Sequence, residues 1–121
     1  MGLTPVLFGP DNTPLNVGRT RRLFTTEQRV ALAIRDGGCM WPGCEKPVSH
    51  TEAHHIDGFA TGGATDIING ILFCRGDHLR LHNEGWQVRR AGHTLWLVPP
   101  EKLDPAQTPI ALHSKANWTN R

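Results

Sequence analysis

Apolar positions in this chain come in short runs broken by glycine, proline and polar clusters, and their spacing alternates between helical and extended. Thr25-Thr26-Glu27-Gln28 has the form of a capping box, with Thr25 as cap and Gln28 reaching back, so a helix is predicted to start there. Val30, Ala31, Ala33 and Ile34 supply its apolar stripe, and Gly37-Gly38 stops it. Thr51 to Phe59 reads as extended around Ala53-His54-His55-Ile56, residues 60–66 read as irregular, and Ile67 to Phe73 is apolar around Asn69. A second helix is predicted from Cys74 to Glu84, ended by Gly85. Trp86 to Arg90 and Thr94 to Val98 flank Ala91-Gly92-His93 as a hairpin, and Pro99-Pro100 breaks it. Residues 1–18 read as a lead-in, whose pieces Val6-Leu7-Phe8 and Leu15-Asn16-Val17 can pair as edge strands. Residues 101–121 read as a loose tail. The domain proper is then 19–100.

Composition narrows this picture. At 121 residues the chain makes one domain, and only 38% of it is hydrophobic, with no Tyr, 13 Gly and 9 Pro. So lean a core calls for a staple, either metal or disulfides. No apolar run approaches the ~18 residues of a membrane span, and Met1 to Asn12 lacks the basic start and apolar segment of a secretory signal. Those features point to a reducing, cytoplasmic compartment without membrane contact. The net charge of +2 excludes a histone-like polycation and leaves room for a locally basic surface. Three Cys is an odd number, which argues against a closed disulfide framework and for metal or catalysis.

Cys39 and Cys44 bracket a Pro-Gly turn that brings two thiols toward one ion, and Cys74 opens the second helix. Tetrahedral zinc needs a fourth ligand. Asp77 is the candidate, with His78, His50 or solvent as alternatives. At 100° per residue Cys74 and Asp77 share one side of the helix, and His78 and His82 share another. Five of the seven His lie between His50 and His82. His54 and His55, adjacent on a strand, point to opposite faces. His54 with the i, i+4 pair His78 and His82 offers three neutral nitrogens and leaves positions open, the arrangement of a catalytic ion. His55 beside it is the candidate general base.

These residues carry a resemblance. Ala53-His54-His55-Ile56, then Asn69, then Cys74-x3-His78-x3-His82 resembles the HNH endonuclease family, and within it the zinc-stapled branch that closes many multi-domain bacterial and mobile-element proteins. The Arg-rich lead Arg19 to Arg22, Arg35 to Cys39, Pro42 to Cys44 and Gly62 to Asp66 fit the same branch, so the likeness covers roughly 15–100. It implies an α+β class and a small ββα-metal (His-Me finger) domain with a Cys-based zinc knuckle. It implies that His54 and a helix His hold the ion, that His55 is the base, and that the Asn69 amide ties the loop backbone and orients the base. His78 matches the last His of the signature, and His82 an extra ligand of colicin-type relatives. Asp77 departs from the His or Cys usual at its position.

The implied activity is metal-dependent hydrolysis of DNA phosphodiesters. A structural Zn2+ and a catalytic Mg2+, Mn2+, Ni2+ or Zn2+ are the implied cofactors. DNA is the expected partner, held through its phosphates. Residues 19–35 carry five Arg (19, 21, 22, 29 and 35) against the single Glu27, and Arg75, Arg80, Arg89 and Arg90 add charge. Arg19, Arg21, Arg22, Arg75 and Arg80 are the expected nucleic-acid contacts. Nothing resembles a base-reading element, so low sequence specificity is expected. The alternatives are a non-catalytic zinc-stabilised nucleic-acid-binding module and an inactive fragment of a larger nuclease.

Overall fold

A computed structural model describes residues 18–19 and 22–116, apart from the Phe59 side chain. The expected strands in the lead-in, Arg21 and residues 117–121 lie outside the described residues. The helix α1 (Thr26–Asp36) starts at the Thr25 capping box and ends at Gly37 in the left-handed region. Two strands, β1 (Thr51–His55) and β2 (Gly70–Cys74), pair antiparallel with Thr51 opposite Cys74 and His55 opposite Gly70. The second helix, α2 (Arg75–Glu84), leaves β2 directly, with Cys74 as its N-cap. Then β3 (Gln87–Ala91), β4 (Thr94–Val98) and β5 (Ile110–Leu112) form a second antiparallel sheet in that order.

The burial of β2 explains the arrangement. All five of its residues are buried, so the strand is covered on both faces. Gly70 faces α1: a Cβ there would press on Phe24 and Leu32. Ile71 and Phe73 face the opposite way, into a core shared with Met40, Trp41, Leu81, Val88, Leu97 and Leu112. Since side chains alternate along β1 as well, His54, opposite Ile71, points toward α2, while His55, opposite Gly70, points toward the start of α1.

The predicted stripe on α1 is corrected. Val30 is 49% and Ile34 62% exposed, whereas Gln28, Leu32 and Asp36, at i, i+4 and i+8, are buried. Two polar residues go inside because each meets a backbone group of a segment distant in sequence. The Gln28 Nε2 donates to the Thr65 carbonyl at 2.8 Å, and Asp36 Oδ2 accepts from Leu72 N at 3.0 Å. Arg35 grips Asp36 Oδ1 at 2.6 Å and donates to the carbonyls of Ile67 and Gly70 at 3.2 and 2.6 Å. The Arg35-Asp36 pair therefore clamps α1 to β2.

The loose tail is also corrected. Leu112 is buried against the core, and Leu97 of β4 stands opposite Ile110. Beyond it Ser114 Oγ donates to the Arg35 carbonyl at 2.6 Å and Lys115 N to the Asp36 carbonyl at 2.7 Å. A Cβ at Gly37 would collide with the backbone of Ala116, so the returning segment requires glycine there. The Lys115 Nζ donates to the carbonyls of Cys39, Trp41 and Cys44 at 2.9, 3.1 and 2.7 Å, closing the segment onto the Cys39–Cys44 turn. Among the described residues no helix is long and apolar enough to cross a membrane.

Candidate functional site

Two clusters of metal-ligating atoms form on the two sides of α2, each with its atoms within 4.8 Å of one another. The first joins Cys39, Cys44, Cys74 and Asp77. Cys39 and Cys44 come from the turn, where Cys44 N donates to the Trp41 carbonyl at 3.0 Å and Gly43 takes φ 80°. Cys74 sits at the N-cap, its sulfur accepting from Asp77 N at 3.4 Å. The thiols of Cys39 and Cys74 each donate to Asp77 Oδ2 at 3.2 Å. His50, one of the alternative fourth ligands, is exposed and outside this cluster, and His78 belongs to the other. All three cysteines are free. Burial pushes the Cys39 thiol well up from its ordinary range and raises that of Cys74, so both stay protonated unless a cation compensates. Three sulfurs and one carboxylate oxygen at this spacing fit a tetrahedral zinc-type ion, since soft thiolates select for it.

The second cluster is His54, His78 and His82. The His78 Nε2 lies 3.1 Å from His54 Nδ1 and 3.1 Å from His82 Nε2, so three ring nitrogens converge. His54 is pushed down to about 3, first by burial and then by the neighbouring His78 and His82 rings. Burial, with His78 second, lowers His82 as well. Neutral imidazoles are what a divalent ion requires. The Nδ1 of His78 meets Glu52 Oε1 at 2.8 Å.

His55, on the other face of β1, stacks on Phe24 with ring centroids 4.4 Å apart. Its Nε2 lies 2.9 Å from Thr65 Oγ1, and that hydroxyl donates to the Arg22 carbonyl at 3.3 Å. The hydroxyl oxygen is thus the acceptor for His55 Nε2–H, which places the ring's lone pair on Nδ1. Burial, then Arg22 and Arg19, lower the His55 pKa. Sequence reasoning passed over Thr65, which is fully buried. Its signal was the Gly62 to Asp66 motif.

Asn69 is buried, and its amide spans the intervening loop. Its Oδ1 accepts from Asp57 N at 2.8 Å, while Nδ2 donates to the carbonyls of Asp57 and Ala64 at 3.0 and 2.7 Å. A cleft of about 880 Å3 opens here, lined by His54, His55, Asn69, His82, Trp86 and Arg90 among others. Among the expected nucleic-acid contacts, Arg22 lines a neighbouring hollow with His54, His55 and His78. Arg19 donates to the Gly63 carbonyl at 2.5 Å. Arg75 is 3.6 Å from Glu52 Oε2 with its side chain 77% exposed. Arg80 lies over the rings of Trp41 and Trp86, at 4.8 and 5.5 Å, and pairs with Glu84 at 3.5 Å, so packing already occupies it.

The chain is similar to uncharacterized proteins of Mycobacterium tuberculosis and Mycobacterium bovis, each 41% identical over 99 residues that cover 80% of this chain and 21% of the relative. A further uncharacterized M. tuberculosis protein is 40% identical over 90 residues, 73% of this chain and 20% of its own length. The chain thus spans about a fifth of the length of the curated relatives it matches. No solved structure matches. The family model for HNH endonuclease matches residues 39–84, the span that contains both clusters, His55 and Asn69. Over that span the chain is similar to the HNH endonuclease family, and its strand pair, following helix and two metal-type clusters are consistent with a ββα-metal fold.

Proposed function

We propose that this domain is a metal-dependent DNA endonuclease of low sequence specificity that works in the cytoplasm, with His55 as general base. The observation that carries the reading is the division of labour on β1: His54 joins the three-imidazole cluster while the adjacent His55 points away from it, its Nε2 held by Thr65. Cys39, Cys44, Cys74 and Asp77 would hold a structural Zn2+, replacing part of the core that the composition lacks. His54, His78 and His82 would hold a catalytic divalent ion, which when bound supplies Lewis acidity to the phosphate and stabilises the leaving oxygen.

The chain's own groups do the rest. His55 Nδ1 takes a proton from water, the water oxygen bonds to phosphorus in line, and the bond to the 3′ oxygen breaks. That oxygen takes a proton from solvent, leaving 3′-hydroxyl and 5′-phosphate ends. Thr65 holds the His55 ring in one tautomer, and Asn69 fixes the loop from Asp57 to Ala64 that forms one wall of the cleft. Arg19 and Arg22 place positive charge beside His55 and so favour an approaching phosphate.

The test is conversion of supercoiled plasmid to nicked or linear DNA with Mg2+, Mn2+, Ni2+ or Zn2+ and with chelator. Cleavage that needs a divalent ion supports the reading. Binding of DNA without cleavage in any of the metals would support the non-catalytic module instead.

A further inference from the structure

From the Glu52–His78 hydrogen bond we infer that Glu52 is a positioning residue, one that sets the tautomer and aim of His78 and thereby the affinity of the three-imidazole site for a divalent ion. The inference rests on the metal-site reading above and goes beyond it, because that reading gives Glu52 no role.

The geometry begins with strand alternation. Glu52 and His54 are two apart on β1 and so share its α2 face, standing opposite Phe73 and Ile71 of β2. That register carries the Glu52 carboxylate to the outer side of His78. Oε1 lies 2.8 Å from His78 Nδ1, and the inner nitrogen, Nε2, lies 3.1 Å from both His54 Nδ1 and His82 Nε2. A carboxylate only accepts, so the hydrogen must sit on Nδ1 and the lone pair on Nε2. The two roles of the imidazole are thereby sorted: the outer nitrogen is tied to the strand and the inner one is aimed at the centre of the cluster. The second Glu52 oxygen lies 3.6 Å from Arg75 NH1. Arg75, expected from sequence to contact nucleic acid, thus flanks Glu52. Among the described residues, His78 is the member of the cluster whose second ring nitrogen meets a carboxylate. His78 is also the central member, bonded to both of the others, so its orientation sets the cluster.

A neutral histidine without such a partner distributes its proton between both nitrogens and rotates about χ2. Supporting carboxylates of this kind, when removed, lower metal affinity by about 10–100-fold. Side-chain exposure of 42% at Glu52 makes its substitution a small perturbation of the fold.

The experiment compares wild type, Glu52→Ala and Glu52→Gln in two readouts, after circular dichroism has established that each is folded. The first is 15N NMR of the histidine rings in protein not exposed to added divalent ion. It should find His78 as the Nδ1–H tautomer in wild type and a mixture in Glu52→Ala. The second is titration with Mn2+, a hard ion that avoids the thiolate cluster, followed by paramagnetic broadening of the His54, His78 and His82 ring signals. Glu52→Ala should weaken Mn2+ binding by about 10–100-fold, and Glu52→Gln, whose Oε1 still accepts from Nδ1–H, should recover most of both signals. Unchanged tautomer, or unchanged Mn2+ affinity, in folded Glu52→Ala would overturn the role of Glu52 alone. Wild type that binds no Mn2+ at these rings would overturn the metal-site reading and this inference with it.

Discussion

Lys115→Met removes an ammonium and keeps most of its aliphatic stem. Three knuckle carbonyls lose their donor, those of Cys39, Trp41 and Cys44, at 2.9, 3.1 and 2.7 Å. Hydrogen bonds to charged groups contribute about 1.5–3 kcal/mol each. The half-buried position argues for the lower end, and ordering the lysine side chain costs about 2 kcal/mol. What remains is about 2–3 kcal/mol, which for a chain of this length corresponds to a fall in Tm of about 8–12 °C. The backbone bond from Lys115 N to the Asp36 carbonyl survives the substitution, so the loss reports the ammonium alone. Calorimetric or dichroism melts of zinc-loaded protein measure it, and release of zinc to a chromogenic chelator should accelerate in parallel. A Tm within about 2 °C of wild type would refute the reasoning that the Lys115 ammonium ties the C-terminal segment to the Cys39–Cys44 turn.

Other outcomes follow from the two clusters. Cys39→Ser or Cys44→Ser should abolish stoichiometric zinc in elemental analysis and lower Tm sharply, because a structural ion contributes directly to folding. His82→Ala, at an exposed position, should cut plasmid nicking while leaving Tm nearly unchanged; unfolding with activity retained per folded molecule would instead make His82 a structural ligand. Asn69→Ala leaves Asp57 N–H and two carbonyls without partners, which should cost about 1–3 kcal/mol in denaturant melts and depress the nicking rate as the loop loosens. Asp77→Cys should tighten zinc and raise Tm, measured by competition with a chelator and by melting.

What the sequence made legible depended on distance along the chain. The α1 capping box, the Cys39–Cys44 turn and the two faces of α2 involve residues within one or two turns of each other, where helix geometry and spacing decide the outcome. The buried side of α1 was misread because periodicity counts apolar residues, whereas Gln28 and Asp36 are inside to satisfy Thr65 and Leu72, which are distant in sequence. Lys115 was invisible for the same reason: its three acceptors lie more than 70 residues earlier. Glu52 carries no signal of its own and Thr65 only that of the Gly62 to Asp66 motif, since each acquires a role only once strand pairing and loop closure set it against a histidine. Arg80 shows further partners the sequence did not signal: the indoles of Trp41 and Trp86 lie against the guanidinium that charge alone had marked as a phosphate contact.

The central claim is that His55 is the base and that the three-imidazole cluster is a separate part of the site. Single-turnover nicking of supercoiled plasmid by His55→Ala and wild type, at equal DNA occupancy and in the same divalent ion, tests it most directly. The account predicts a rate lower by about 10²–10⁴-fold, with DNA affinity and Mn2+ binding at the His54, His78 and His82 rings kept. A His55→Ala protein that cuts as fast as wild type would contradict it.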